Sequence, residues 1–521
     1  MPTNPTYPGV YIEELENPVK TIVGVSTSVT AFVGRALAGP TNKPVLIHNF
    51  GEFESIFGGL WKESTMSYAV YQYFLNGGMD AVIVRVFKAQ TGSDEDKSKA
   101  RFAAGSITFE ATSPGVWAND YKLKIDDKVD ASRNVPSPHL FNLHILDDAG
   151  VEQETFLNIS INTGDPRFVK TVLDEESDLL RVSKDNPPIN ALPSMSDNIV
   201  SDKKGDDGVA VTNAELKGEN TNDHKTGIYA LDKADIFNLL CIPPPSPDGT
   251  TAPAFYSEVY ATAAKYCQDK RAVLIMDPPS NWNSRDDPIS GSIGIDSNTS
   301  GLFRHENAAI YFPRIRAPDP NQEGRLKDFA PCGAIAGVMA RTDAQRGIWK
   351  APAGIDAGLL GVPDLTVRLT DLENGSINQQ GINCLRILPP AGRVVWGART
   401  TKGADNLANQ WKYLPVRRTA LYIEETLYRN TKWAVFEPND EPLWSQLRLS
   451  IGSFMHDLFR KGAFQGSTPK EAYLVKCDRE TTTQYDIDRG IVNILVGFAA
   501  LKPAEFVIIK IQQLAGQAEV Q

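Results

Sequence analysis

The chain has 521 residues, 41% of them hydrophobic and 22% charged. These proportions exclude wholesale disorder and leave room for about three or four domains. The 64 acidic and 53 basic residues give a net charge of −11 at pH 7, which argues against a general phosphate-binding role and against nucleic acid as a partner. Five cysteines (Cys241, Cys267, Cys332, Cys384, Cys477) lie far apart and odd in number. That pattern excludes a disulfide framework or zinc knuckle and reads as buried thiols in a reducing compartment.

In chain order, the opening MPTNPTYPGV has no basic start and no apolar core, so a signal peptide is not expected. Gly9–Leu15 alternates apolar and polar residues between Pro8 and Asn17-Pro18. Val29–Val33 is a strand. Met66, Ala69, Val70, Tyr73 and Phe74 share one helical face, and Asn76-Gly77-Gly78 stops that helix. Ala81–Val86 is again a strand, completing the strand–helix–strand unit of a parallel sheet.

From Thr91 to Ala230 the character changes. This stretch holds 25 acidic and 15 basic residues and many turn formers, with short strand-like runs at Ser106–Glu110, Phe141–Leu146 and Phe156–Ile161. It reads as an acidic, exposed insertion of short strands and long loops. The α/β pattern resumes with strands at Ile236–Ile242, Ala272–Met276 and Ala308–Phe312 and helices at Tyr256–Cys267 and Cys332–Arg341. A last region, net +4 from Gly381 onward, predicts strands from Cys384, Arg393 and Lys432, helices over Arg417–Leu427 and Pro442–Arg460, and a strand over Ala472–Cys477. The nearly apolar run Ile491–Leu501 is too short to span a membrane. Behind Lys502-Pro503, Glu505–Gln512 is β-prone. Each terminus is thus a proline-delimited strand. A strand needs a partner for its backbone groups, either within its own subunit or on a neighbouring copy.

The fold class expected is therefore α/β and α+β multidomain. The expected parts are an arm at residues 1–20, a split α/β core at 21–90 plus 231–380 and a mostly β insertion at 91–230. An α+β C-terminal domain at 381–502 and a second arm at 503–521 complete them. Catalytic signatures are missing from the sequence: no Walker loop, no dinucleotide fingerprint, no nucleophile elbow. His305-Glu306 lacks the second histidine of a zincin, and Asp202, Asp206 and Asp207 do not follow a calcium-loop spacing. Asp277, just behind a strand, is the one carboxylate at a position α/β enzymes use, although Asp277-Pro278-Pro279 equally makes a turn. No metal, cofactor or catalytic residue is expected.

Several motifs in order resemble the contractile tail sheath proteins of phages, tailocins and extracellular contractile injection systems. They are Tyr7-Pro8-Gly9-Val10-Tyr11-Ile12-Glu13-Glu14 with Val25–Gly34 behind it, Asn76-Gly77-Gly78, Gly392–Thr400, Tyr413–Arg418 and Phe498–Val507. The resemblance implies a non-enzymatic structural subunit, stacked as hexameric rings around an inner tube that contraction drives outward. It implies that Val10, Tyr11, Ile12, Glu13 and Glu14 at one end, and Phe506, Val507, Ile508, Ile509, Lys510 and Ile511 at the other, add strands to neighbouring subunits. Arg417 and Arg418 are then candidates to face an acidic tube. The implied partners are further copies of the chain, the inner tube, baseplate and terminal cap proteins, and sibling sheath subunits, with no membrane insertion. Assembly in the bacterial cytoplasm into a phage tail or extracellular particle follows. The competing expectations are a hydrolase on the α/β core and a non-contractile surface-lattice protein.

Overall fold

The computed structural model describes residues 20–90, 95–133, 138–222, 224–246 and 248–510. They fall into two compact units, each taken by itself: residues 26–345 with 352–412, and residues 20–25, 346–351 and 413–510. Among the described residues no helix is long and apolar enough to cross a membrane.

The larger unit is built on an eight-stranded sheet in the order Gly392–Val395, Asn383–Leu388, Ala308–Phe312, Val273–Met276, Leu239–Cys241, Thr30–Gly34, Ala81–Arg85, Val45–Ile47. The six inner strands run parallel, and one antiparallel strand closes each edge. Thr30–Gly34, Ala81–Arg85, Val273–Met276 and Ala308–Phe312 are buried along their whole length. Near-continuous apolar runs are what a parallel sheet covered on both faces requires. Thr30–Gly34 has Ala81–Arg85 on one side and Leu239–Cys241 on the other, so the strand order reverses there. In open α/β sheets that reversal leaves a crevice beyond the carboxyl ends of the strands.

The helices follow the expected pattern. Thr65–Leu75 starts at Ser64, whose Oγ accepts from the Ser67 N–H (3.0 Å), and Gly77 beyond its end has φ +102. It packs backbone to backbone on Cys332–Arg346: a Cβ on Gly333 would lie 2.0 Å from the Ala69 carbonyl oxygen, and one on Gly337 2.4 Å from that of Tyr73.

The sheet takes in Asn383–Leu388, where Tyr311 pairs with Asn383, so the core continues past residue 380. The expected boundary at 381 moves to about 413. The acidic insertion is more than loops and short strands. It has a four-stranded sheet (Ser196–Val200, Lys122–Asp126, Leu140–Leu146, Glu152–Ser160) and a three-stranded one (Arg101–Ala104, Ile107–Ala111, Leu180–Val182). Phe102, Phe109, Phe141, Leu143, Phe156 and Leu173 belong to a core of its own. The buried Arg85 ties it to the body: its guanidinium donates to the carbonyls of Ala36, Leu37, Gly39 and Pro114. All five cysteines are buried free thiols.

In the smaller unit, helices Leu414–Asn430 and Glu441–Arg460 carry the expected apolar faces, including Leu443, Leu447, Ile451, Phe454 and Leu458. Segment 20–25 runs along the first helix: the Asn430 amide donates to the Val23 carbonyl (3.0 Å) and accepts from its N–H (3.2 Å). The strand expected from Lys432 is instead a short 3-10 turn, Lys432–Ala434, continuing the helix end. Behind it Phe436 is fully exposed at φ +71.

Candidate assembly interface

The feature of the smaller unit that can act on another molecule is an incomplete sheet. Tyr473–Lys476 and Leu495–Phe498 form a two-stranded antiparallel pair, with Tyr473 opposite Phe498 and Val475 opposite Val496. The sequence folds this way because Tyr473, Val475, Val496 and Phe498 alternate apolar on one face. That face packs on the cluster of Ile451, Phe454, Met455 and Phe464, while Leu474 and Leu495 point outward and stay half exposed. The rings of Phe464 and Phe498 meet tilted, with centres 5.6 Å apart. An isolated two-stranded pair is marginal in water, so the helices beneath hold it.

The hydrogen-bond parity says which groups remain open. The Ala499 N–H donates to the Ala472 carbonyl (2.8 Å), which makes that pair a bonded one. Bonded and non-bonded pairs alternate in an antiparallel ladder. The 474/497 and 476/495 pairs are therefore bonded. The backbone groups of Tyr473 and Val475 point out of one edge, and those of Val496 and Phe498 out of the other. Among the described residues the Tyr473 N–H donates to the Pro469 carbonyl, while Val475, Val496 and Phe498 make no backbone bond to another segment. The Leu495–Phe498 edge thus offers two N–H and two C=O groups in register, and the Tyr473–Lys476 edge one N–H and two C=O groups.

Charge does not set the chemistry of these edges. Lys476 is held up in pKa by its hydrogen bond to Glu480, and burial pushes the Cys477 thiol up to about 11. Apart from the Lys476–Glu480 pair, the edges present neutral backbone groups and apolar side chains.

A second feature lies in the same unit. Residues 501–510 carry no regular secondary structure, and Phe506, Val507, Ile508 and Ile509 are 74–82% exposed. The Tyr413 hydroxyl donates to Glu505 Oε2 (3.3 Å), tethering the start of this ribbon. Four consecutive large apolar side chains in water are unusual for a monomer and mark an interaction site. Of the expected arm residues, Phe506–Lys510 are therefore on an exposed ribbon. Ile511, and Val10, Tyr11, Ile12, Glu13 and Glu14 of the other arm, lie outside the described residues.

The expected tube-facing pair is corrected. Arg417 and Arg418 are 7% and 2% exposed, and Arg417 Nη1 lies 3.7 Å from Glu424 Oε1. Neither guanidinium offers a surface. The charge argument goes with them: five basic residues that made the region positive (Arg386, Arg393, Arg399, Lys402, Lys412) belong to the larger unit. Residues 413–521 hold 13 basic and 13 acidic residues.

Asp277, the candidate catalytic carboxylate, is fully buried. Its Oδ1 accepts from the Cys332 N–H (2.8 Å), holding the start of helix Cys332–Arg346, and Oδ2 lies 3.5 Å from the Tyr260 hydroxyl. Burial raises it to about 6. His305 accepts from the Asn307 N–H within its own turn (3.0 Å). Among the described residues no group of three or more His, Cys, Asp or Glu side chains could hold a metal ion. Sequence reasoning found the strand at Tyr473–Lys476, but it read Leu495–Phe498 only as part of a nearly apolar run and did not find the role of either as a receiving edge. The signal was present in the alternation of Tyr473, Val475, Val496 and Phe498.

Comparison with known proteins bears on this geometry. Residues 210–401 match the family model of the phage tail sheath protein central domain, and residues 408–513 match that of the phage tail sheath C-terminal domain. The chain belongs to the phage tail sheath family. It is 26% identical over 226 residues to the tail sheath protein of Vibrio phage KVP40, a match covering 43% of this chain and 31% of that protein. It is 25% identical over 309 residues to a prophage major tail sheath protein of Pseudomonas aeruginosa, covering 57% and 71%. The chain thus spans about a third of the phage relative's length. In fold it resembles the PVC sheath complex of an extracellular contractile injection system in its contracted state, with a TM-score of 0.57 and 21% identity. That match covers 98% of this chain and 99% of that one. The mixed α/β multidomain architecture is shared with such sheath structures.

Proposed function

We propose that the chain is the structural, non-enzymatic subunit of a contractile tail sheath, polymerising as stacked hexameric rings around an inner tube that contraction drives through a target envelope. Family membership supports the sheath role. The observation that carries the assembly mechanism is the coexistence, in one unit, of a sheet with two open edges and an exposed apolar ribbon.

The ribbon at Phe506–Lys510 of one copy, and Val10–Glu14 of another, would each add a strand to a neighbour's Tyr473–Lys476/Leu495–Phe498 pair. The open donors and acceptors of an edge make about three to four backbone bonds, each worth ~0.5–1.5 kcal/mol net. Burying an apolar side chain adds ~1.5–3 kcal/mol. Such a joint survives reorientation of the bodies it links, because strand addition uses backbone groups and a tether can bend. Further copies of the chain, the inner tube, and baseplate and cap proteins are the partners, and the particle is a phage tail or extracellular injection machine assembled in the bacterial cytoplasm.

Electron microscopy of the purified full chain tests the reading. Hollow tubes or stacked rings are expected. Discrete particles at every concentration and salt would sink it, and flat lattices would favour a surface-layer subunit. Deleting residues 503–521 should leave folded bodies, by circular dichroism, that no longer polymerise.

A further inference from the structure

The crevice at the strand-order reversal of the large sheet is narrowed to a cavity of about 20 Å³, lined among others by Lys62, Gln72, Arg314 and Lys327. This is where an α/β sheet takes its ligands. The hairpin Ile315–Asp319/Arg325–Phe329 helps close it, with Phe329 against Tyr68 at 5.0 Å.

Three observations bear on what the cavity accepts. Arg314 is 8% exposed; its Nη2 donates to the Gly249 carbonyl (2.7 Å) and the Pro278 carbonyl (3.3 Å), but its buried Nε has no partner. The buried Gln72 also leaves its Oε1 unpartnered, and rotation about its terminal bond would present the amide NH2 instead. An orphaned buried polar group costs about 1–3 kcal/mol. Lys62 and Lys327 line the same cavity, and among the described residues neither makes an ion pair; Lys327 Nζ sits 5.8 Å from the ring centres of Tyr68 and Phe329.

The nearby carboxylates do not cancel this charge. Asp328 is paired with Arg316 (2.7 Å). Asp277 is engaged with the Cys332 N–H, and Asp319 Oδ1 with the Tyr68 hydroxyl and the Asn321 N–H. Three cations against those last two carboxylates leave one positive charge. The amino ends of helices Thr65–Leu75 and Cys332–Arg346 add to it, since Thr65 lines the cavity and Ala330 precedes the second helix by two residues.

We infer that this crevice binds a single small anion of chloride size, held by the Arg314 Nε–H, the turned Gln72 amide, and the ammonium groups of Lys62 and Lys327. The volume decides the class. About 20 Å³ is the scale on which one water is accommodated and favours a compact, atom-sized ligand over an extended one. Water is the alternative occupant: it could serve Arg314 and Gln72 as they stand, but it would leave the excess charge in place.

The test uses the full chain. Chloride replaces gluconate at constant ionic strength while thermal unfolding is followed, and crystals grown with bromide are measured for anomalous scattering. A rise in Tm with chloride and a bromide peak beside Arg314 Nε are expected. Lys62→Gln, at the exposed mouth, should raise the half-saturating chloride concentration about two- to fivefold, as loss of one solvent-screened charge contact predicts, with Tm in gluconate unchanged. Equal Tm in both salts would overturn the inference. So would density for water without anomalous signal, or phosphate competing as strongly as chloride. A bromide peak with no chloride effect on unfolding would mean an adventitious ion only, and would overturn it too.

Discussion

Two of the antiparallel sheets among the described residues treat their exposed edges in opposite ways. In the insertion, the edge strand Glu152–Ser160 begins with Glu152, Gln153 and Glu154. Its register shifts twice against Leu140–Leu146, and it carries Asn158 at φ +54. The other edge, Ser196–Val200, shifts register between Ser196 and Ile199 and exposes Asp197. Charges and bulges are the devices that stop a sheet edge from recruiting another strand. In the C-terminal unit, Tyr473–Lys476 and Leu495–Phe498 pair without a register shift, and the outward-pointing groups belong to Tyr473, Val475, Val496 and Phe498. One sheet is finished and protected. The other is left receptive, and an apolar ribbon of matching chemistry is exposed in the same unit.

The largest effect should come from spoiling the receptive edge. Val475→Pro removes an N–H that points away from the partner strand, a position where proline is tolerated because the internal ladder loses nothing. Polymers are expected to disappear from electron micrographs while the far-UV spectrum stays that of the folded chain. Should the variant unfold, Ile508→Asp asks the same question from the ribbon, where the side chain is 82% exposed. It should abolish or strongly weaken polymerisation with less than about 0.5 kcal/mol change in stability, as for a surface substitution. Normal tubes from both variants would mean that the open edge is not the joint.

Much of this organisation could be read from residue patterns. Thr30–Gly34, Ala81–Arg85 and Ala308–Phe312 were legible because buried parallel strands are unbroken apolar runs, and the helix Glu441–Arg460 because its apolar residues recur at helical spacing. The boundary near 381 misled because Asn383–Leu388 joins the sheet through pairing with Ala308–Phe312, a contact across about 75 residues that periodicity does not carry. Arg417 and Arg418 misled for a related reason: charge suggests surface, yet both are buried. The strand expected from Lys432 failed because β-prone residues without a neighbouring strand do not make one, and the chain there turns. Of the interface, the ribbon was visible as a β-prone run behind Pro503. The receptive edges were not, because which backbone groups stay unpaired is a property of the whole sheet.

A smaller effect separates body stability from assembly. Asp277 lies in the larger unit and touches neither edge. Its folded value of about 6 stands above the ordinary 3.8, so the folded protein holds this proton more tightly than the unfolded chain does. Its contribution to stability is therefore fully present below about pH 4, declines as pH rises to about 6, and is flat above. That rise in pKa corresponds to about 3 kcal/mol at most. Asp277→Asn should flatten that part of the stability–pH curve and raise the unfolding midpoint at pH 7, leaving polymerisation unchanged. An unaltered pH profile between 4 and 7 would show that the carboxyl titrates elsewhere.

The smallest effect belongs to the protected edge. Leu157 is half exposed on Glu152–Ser160, between the buried Phe156 and the positive-φ Asn158. If that edge recruited neighbours, Leu157 would be a natural apolar contact, and Leu157→Ser would weaken assembly. The local geometry argues otherwise: the irregular register and flanking Glu154 deny a guest strand a continuous ladder, and a strand addition that loses bonds loses ~0.5–1.5 kcal/mol for each. Leu157→Ser should therefore leave both the denaturation midpoint, within about 0.5 kcal/mol, and the sedimentation of the polymer where they are. A loss of polymer from this one change would mean that apolar exposure, rather than an unbroken ladder, selects the joint.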